Sequence, residues 1–385
     1  MQRRDFVTLG SAMAALASPL GIYSGNTFSS GIGNPDNKVD FVHDGLNMSP
    51  QQYAELLIKL ADEGKIKPDY YSNGGVVEEL ESKFAALLGK EAAVFMPTGT
   101  LANHIAIRHL AGMDRRILLQ EQSHFYNDSG DCAQTLSGLN LIPLGLNGVE
   151  FTLSEVQAIV EKTKKGRVET RIGVIAIETP VRRQFDKMFA YDNMKAIAAY
   201  AQENGIRMHM DGARLFVQSV HTDIAPSVYG ELFDTVFISM WKFFNAASGA
   251  VITGTKAFTG KLFHERRMFG GGLPGAWPFA AVALQYADTF TDDYLTAWKN
   301  AEAIFAELKK EPRFEVIPYE NGSHIVRLNI ENVNLTRFSE AMHKRNIELP
   351  VSDEKGFNLK VNPSLNKDSA RNVAGYFFED LKEST

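Results

Sequence analysis

Asp211, in Met208-His209-Met210-Asp211-Gly212-Ala213-Arg214-Leu215, and Lys242, in Ser239-Met240-Trp241-Lys242, are the side chains of this sequence whose type and setting say most about chemistry. The Asp closes an apolar, strand-like run. The Lys follows a second apolar run and sits beside aromatic residues. A carboxylate next to a ring nitrogen raises that nitrogen's pKa and keeps its proton in place. A desolvated Lys has a lowered pKa and supplies the neutral amine that forms and re-forms an imine. These are the two groups with which a protein holds pyridoxal 5'-phosphate (PLP), the Asp on the pyridinium nitrogen and the Lys as Schiff base. Each also has a plainer reading: a strand entering an Asp-Gly turn, and a Lys snorkelling from a strand end. Their joint presence, in this order, favours the cofactor.

Two upstream segments fit the same chemistry. In Val94-Phe95-Met96-Pro97-Thr98-Gly99-Thr100-Leu101-Ala102-Asn103 an apolar run stops at Pro97, and a helical pattern with Ile105, Ile107 and Leu110 begins. The start of such a helix presents unpaired N–H groups and a positive dipole end, so a phosphate would sit at Gly99 with Thr98 or Thr100 adding a hydroxyl. An ordinary Thr N-cap is the plainer reading. His124, in Glu121-Gln122-Ser123-His124, follows the strand-like Ile117-Leu118-Leu119, where α/β folds bind ligands, and its ring would stack on a cofactor or move protons. A structural histidine is the plainer reading there.

With these segments in place, the chain resembles the threonine aldolase and aromatic amino acid β-eliminating lyase family of fold-type-I PLP enzymes. The resemblance runs from about Lys38 to about Asp288. It is carried by Leu87 to Asn103, Glu121-Gln122-Ser123-His124, Leu136-Ser137-Gly138, Glu178-Thr179, His209 to Leu215, Ser239 to Lys242 and Gly270-Gly271-Gly272. It implies Lys242 as the Schiff-base lysine, Asp211 as the pyridinium partner, His124 as the stacking ring, and Gly99 with Thr100 as part of the phosphate cradle. Arg214 is implied among the cofactor-site residues, reaching toward the substrate carboxylate or a nearby polar group. Assembly as at least a homodimer, or a homotetramer, is implied as well.

The departures are specific. Where family members carry an Arg-Ser-Asp-Thr-like segment, this chain has Phe41-Val42-His43-Asp44-Gly45. The glycine triplet is followed by Leu273-Pro274-Gly275-Ala276-Trp277 in place of an Arg-Gln pair. The C-terminal stretch Phe357-Asn358-Leu359-Lys360-Val361 lacks the Arg that clamps a carboxylate. Lys is a point charge without that bidentate fork. His43 and Lys360 are therefore candidates for a rebuilt carboxylate site. The function expected is threonine-aldolase-like cleavage of a β-hydroxy amino acid to glycine and an aldehyde, with His124 removing the β-hydroxyl proton directly or through water. The same residues would serve a β-eliminating lyase or a racemase with Lys242 as base at Cα–H. A PLP-fold protein that binds without turnover is disfavoured by the intact pairing of Asp211 with Lys242.

The elements that must position these groups are strand-like runs (Ala92 to Met96, Ile117 to Leu119, Leu141 to Leu144, Ile172 to Ile177, Met208 to Met210, Thr235 to Ile238, Ala250 to Thr253) alternating with helical patterns such as Asp192 to Asn204. That alternation predicts an α/β fold, a mostly parallel sheet covered by helices as in fold-type-I PLP-dependent transferases. Helical Ala301 to Lys310, strand-like Phe314 to Ile317 and Ser323 to Ile330, and helical Leu335 to Arg345 predict a smaller α+β C-terminal domain. The expected organisation is a PLP-binding large domain over 31–290 and a small domain over 291–385.

Forty-four per cent hydrophobic and 22 per cent charged residues are ordinary globular values. The net charge of −6, without a basic cluster, argues against a nucleic-acid partner. Lone Cys132 excludes an internal disulfide framework, and no Cys/His metal cluster is present; His209 and Asp211 face alike at i, i+2 but lack a third ligand nearby. Residues 1–30 read as an export signal: Met1-Gln2-Arg3-Arg4-Asp5-Phe6-Val7 precedes the small, apolar Thr8 to Ala17, a twin-arginine-like pattern. That run is too short and too rich in Ala, Gly and Ser for a stable membrane anchor. A periplasmic or exported mature protein is expected, with a disordered basic tail on a cytoplasmic protein as the alternative.

Overall fold

The computed structural model describes residues 38–384, which belong to one compact unit. The expected export signal lies outside the described residues. Twelve strands are described: β1 (Val39–Asp40), β2 (Ala92–Met96), β3 (Arg116–Gln120), β4 (Asn140–Leu144), β5 (Ile172–Glu178), β6 (Arg207–Asp211), β7 (Thr235–Ser239), β8 (Ala250–Gly254), β9 (Phe314–Pro318), β10 (Ile325–Ile330), β11 (Ile347–Glu348) and β12 (Gly356–Lys360). A seven-stranded sheet has the order β2-β8-β7-β6-β5-β3-β4, and β8 alone runs against its neighbours. All seven residues of β5, and all five of β7 and of β8, are buried. Helices cover both faces, so the middles of these strands are apolar on both sides, with polar Glu178, Thr235, Ser239 and Thr253 buried toward their ends.

That direction gathers the chemistry at one edge. The carboxyl ends of β2, β3, β5, β6 and β7 all lie on the same side of the sheet, and the register sets Glu178 opposite Asp211. Ligands bind outside such strand ends in open α/β sheets. Helix Gly99–Ala111 follows β2 and packs across β5 to β8, burying Ala102, Asn103, His104, Ile105, Ala106 and Ile107. Gly99 is required where the helix begins: a Cβ there would lie 2.7 Å from Cζ of Phe237 on β7.

The C-terminal part is built on the antiparallel sheet β12-β10-β9, with β1 pairing β11 in parallel. The helix expected from Ala301 starts at Phe290 and runs to Leu308. Phe290 and Tyr294 join the core under the large sheet, whereas Ala297 to Leu308 join the core under the small one. β12, which the sequence marked only for its missing Arg, is the edge strand that brings Lys360 toward the site. The segment before the first long helix ties the two parts together. Lys360 donates its backbone N–H to Phe41 O at 2.9 Å, and Leu46 N–H donates to Asn245 Oδ1 at 2.7 Å. Gly45 lies so close to the turn after Lys242 that a Cβ would meet Lys242 O at 2.4 Å. Among the described residues no helix is long and apolar enough to cross a membrane.

Candidate active site

A cavity of about 330 Å³ opens at the carboxyl ends of the strands and is lined by Thr98, Gly99, Thr100, Asn103, His124, Asp211, Arg214 and Lys242, together with Glu178, Arg182, Phe237, Trp241 and Ser248. The residues that the sequence nominated for catalysis and cofactor binding, Thr98, Gly99, Thr100, His124, Asp211, Arg214 and Lys242, line one cavity, whereas His43 and Lys360, nominated for the substrate carboxylate, do not.

Asp211 ends β6 and is 7 % exposed. One carboxylate oxygen accepts from Asn103 Nδ2 at 2.6 Å, and the other accepts from Ala213 N–H at 3.2 Å. Asn103 Oδ1 lies 2.9 Å from His209 Nε2, and His209 Nδ1 lies 2.8 Å from Thr235 Oγ1. Burial pushes the His209 imidazole down to about 4, so it is neutral at neutral pH. A neutral ring that donates from Nε2 to Asn103 must accept from the Thr235 hydroxyl at Nδ1. Thr235, His209, Asn103 and Asp211 thus form a fixed line of hydrogen bonds that aims the carboxylate. Both nitrogens of His209 are used in it, which removes His209 from any metal reading. Asn103 and Thr235 were not assigned roles from the sequence, because their partners lie on different elements.

Lys242 follows β7 at the end of the core. Burial, with the Arg214 guanidinium nearby, pushes its amine down to about 8 against the pull of Asp44, Asp211 and Glu178. It makes no salt bridge among the described residues; its Nζ lies 5.1 Å from the Trp241 ring centroid. His124 opens the short helix His124–Asn127, whose N-cap Ser123 accepts from Tyr126 N–H at 3.3 Å. Its backbone N–H is taken by Glu178 Oε2, and Arg182 N–H donates to Glu178 Oε1 at 2.9 Å. The His124 imidazole is held below its ordinary value by burial, and its Nδ1 is buried without a hydrogen-bond partner. Burial and the neighbouring Asp211 push Glu178 up to about 8.

Thr98 caps the helix Gly99–Ala111, its Oγ1 accepting from Leu101 N–H at 3.2 Å. The Gly99 and Thr100 N–H groups have no preceding helical turn to bond to and border the cavity. This donor set fits PLP: an anion seat at a helix N-terminus, a carboxylate fixed by Asn103, an amine of lowered pKa, and a ring nitrogen on His124 left open.

Arg214 stands in the cavity wall, yet it donates from Nε (3.1 Å) and Nη2 (2.8 Å) to Asp44 Oδ2 and lies 3.5 Å from Asp186 Oδ2. Asp44 Oδ1 accepts from Lys360 Nζ at 2.9 Å and lies 3.3 Å from His324 Nε2. Against the cost of burial, Arg214, Lys360 and His324 hold the Asp44 carboxyl well below its usual range. Asp44, Asp186 and His324 stand within reach of a common metal ion, but Arg214 and Lys360 already supply the positive charge there. His43 lies apart, its Nδ1 2.8 Å from Asp40 Oδ2. Of the two residues proposed for a rebuilt carboxylate site, Lys360 donates to Asp44 and His43 pairs through Nδ1 with Asp40.

The family model for β-eliminating lyases matches residues 65–331. The low specificity L-threonine aldolase of Saccharomyces cerevisiae is 28 % identical over 281 residues, 71 % of this chain and 70 % of that protein. The Candida albicans low-specificity L-threonine aldolase is 31 % identical over 222 residues, 57 % of this chain and 58 % of that protein. Among solved structures, an Exiguobacterium protein described as a putative aromatic amino acid β-eliminating lyase/threonine aldolase superposes with a TM-score of 0.74 at 23 % identity, covering 91 % of this chain and 98 % of that one. A putative L-allo-threonine aldolase from Listeria monocytogenes gives 0.72 at 22 % identity, covering 90 % and 96 %.

Proposed function

The chain belongs to the β-eliminating lyase family, and from that premise we propose that it is a PLP-dependent lyase that cleaves a β-hydroxy amino acid to glycine and an aldehyde. The observation that carries this reading is a lysine pushed down to about 8 sharing one cavity with a carboxylate aimed by Asn103. The names of the yeast relatives support the aldolase direction.

When bound, PLP supplies a sink for the electrons of the bond broken at the amino acid's Cα. The chain's own residues prepare and exploit that sink. Gly99 and Thr100 N–H groups, with the Thr98 and Thr100 hydroxyls, would hold the phosphate at the positive end of the helix. Asp211 would keep a proton on the ring nitrogen, and Asn103 keeps the carboxylate from turning away. At pH 7 about a tenth of Lys242 is neutral amine, against less than a thousandth for an ordinary lysine. The His124 ring, which lines the cavity with its Nδ1 buried and unpartnered, would stack on the bound cofactor, and its imidazole would take the β-hydroxyl proton, directly or through water, as Cα–Cβ breaks. Trp241, 55 % exposed, stands at the cavity rim.

The test is product analysis by mass spectrometry after incubating PLP-loaded protein with β-hydroxy and ordinary amino acids. Glycine with an aldehyde establishes carbon–carbon cleavage. A keto acid with ammonia, or inverted substrate, overturns it in favour of chemistry at Cα–H. Export through the Arg3-Arg4 segment belongs to the same proposal, supported by the apolar run behind it, and N-terminal sequencing of the native protein checks it. Assembly as a homodimer or homotetramer is supported by exposed Tyr70, Phe263 and Met268 and is checked by sedimentation.

A further inference from the structure

The helix Gly99–Ala111, whose first turn forms the anion seat, is fed by β2, and β2 is the outer strand of the large sheet, paired on one side only, with β8. Backbone groups on such an edge need other partners. At Phe95 both come from ionisable side chains: Glu81 Oε1 accepts from the Phe95 N–H at 2.7 Å, and Arg266 Nη1 donates to the Phe95 carbonyl at 2.6 Å. Between Phe95 and Gly99, the Ser248 hydroxyl donates to the Pro97 carbonyl at 2.7 Å. Arg266 is 1 % exposed, and its Nη2 also donates to the carbonyls of Tyr71 (3.1 Å) and Ser72 (3.4 Å). Burial pushes the Glu81 carboxyl up to about 7. A neutral donor and a neutral acceptor would close a strand edge at less cost, so two charges buried here call for a further reason. The helix that carries Arg266, Leu262–Met268, supplies one, because its segment grips the seat helix at both ends. In the last turn, His109 Nδ1 and Arg108 Nη1 lie 3.0 Å and 3.5 Å from the Glu265 carboxylate. At the first turn, Gly271, whose N–H donates to Arg266 O at 2.8 Å, packs so closely that a Cβ on it would lie 2.4 Å from Leu101 Cδ2.

Resting on the PLP site proposed above, we infer that Arg266, with Glu81 and Gly271, positions the seat of the cofactor's phosphate by pinning the outer edge of β2 and the first turn of the helix that follows it. None of the three lines the cavity, so they act through the Gly99 and Thr100 N–H groups and are positioning residues. Those N–H groups bind an anion only while they converge on one point. An edge strand free on its outer side could tilt and spread them. Phe95 held from outside, Pro97 held by Ser248 and Leu101 backed by Gly271 remove that freedom. The ring end of the cofactor depends on other elements, since Asp211 ends β6 and Lys242 follows β7. Disturbing Arg266 is therefore felt at the phosphate before it is felt at the ring.

The experiment titrates the full-length, cofactor-free chain with PLP and with pyridoxal, which lacks the phosphate, while the absorbance of the bound cofactor is followed. In Arg266→Met the affinity for PLP falls about 10- to 100-fold, the range for lost charge-assisted hydrogen bonds to the phosphate, while that for pyridoxal is unchanged. Arg266→Lys, which keeps one charged donor for the Phe95 carbonyl, falls between. Gly271→Ala removes no hydrogen bond and sets one methyl against Leu101; it shows the same loss for PLP alone, and it decides the matter if Arg266→Met does not fold. Equal losses for the two ligands, or an unchanged PLP affinity in Gly271→Ala, overturn the assignment. A wild type that binds pyridoxal as tightly as PLP overturns the phosphate seat and the inference with it. A wild type that binds neither overturns the underlying function instead.

Discussion

Arg214 places its Nε and its Nη2 on the same oxygen of Asp44, 170 residues away in the chain, leaving the other oxygen to Lys360 and His324. A carboxylate so engaged is part of the frame of the site. Replacing Asp44 with Ala leaves the Arg214 charge buried without its main partner, a change that costs about 3–5 kcal/mol. We expect Tm to fall by roughly 5–15 °C in calorimetry. An unchanged Tm would show that the cluster is hydrated and weak.

Lys242 carries a charge that its surroundings disfavour, so its removal separates stability from chemistry. In Lys242→Ala the absorbance of the imine between this lysine and PLP, and all turnover, disappear. The cofactor-free protein gains stability, because a lysine held at about 8 is a net liability to the folded state at neutral pH. Spectra and thermal melts of the same preparation check both halves, and retained turnover would remove Lys242 from the mechanism.

Asn103 acts through Asp211. Asn103→Ala leaves His209 Nε2 and Asp211 Oδ2 without their partner, at about 1–3 kcal/mol in stability. Its kcat should fall about tenfold with KM little changed, the pattern of an interaction that matters in the transition state. Asp211→Ala should lose far more in rate than in cofactor retention. Steady-state kinetics beside PLP titration distinguish these from simple unfolding.

The pH dependence of stability carries a signature of the same line of bonds. The ordinary value for His209 is 6.5, and burial pushes it down to about 4. Between those values the unfolded chain binds a proton that the folded protein refuses. The His209 contribution is therefore complete above 6.5 and is lost as pH falls through 4, on the order of 3 kcal/mol at most. Glu178, pushed up to about 8, acts in the opposite sense above pH 4.5. His221 is also pushed down to about 4, so wild type alone does not isolate the effect. Denaturant titrations of wild type and His209→Gln from pH 7 to pH 4 do: the variant should lose one proton's worth of slope.

Much of the fold was legible because burial on both faces leaves a strand few polar positions, and β5, β7 and β8 therefore stand out by the apolar runs at their centres. The site residues were legible where chemistry restricts residue type, as with an Asp ending one such run and a Lys following another. Pairings across elements were not. Nothing local says that Asn103, on a helix, spans His209 and Asp211, or that Asp44 meets Arg214. The helix Phe290–Leu308 was read as starting eleven residues late, at Ala301, because its first turns pack on one core and its later turns on the other, which blurs the periodicity of a single buried face.

The short run from Phe41 to Leu46 is pinned at both ends, to β12 through Phe41 O and to the Lys242 turn through Leu46 N–H. With Gly45 already in contact with that turn, the run has no slack with which to absorb a displacement. Mechanically it is a taut cord. Any drift of the small sheet is delivered to the backbone that carries the reactive amine, so substitutions in β12, remote from the chemistry in sequence, will register as changes in the lysine's reactivity before they register as loss of fold.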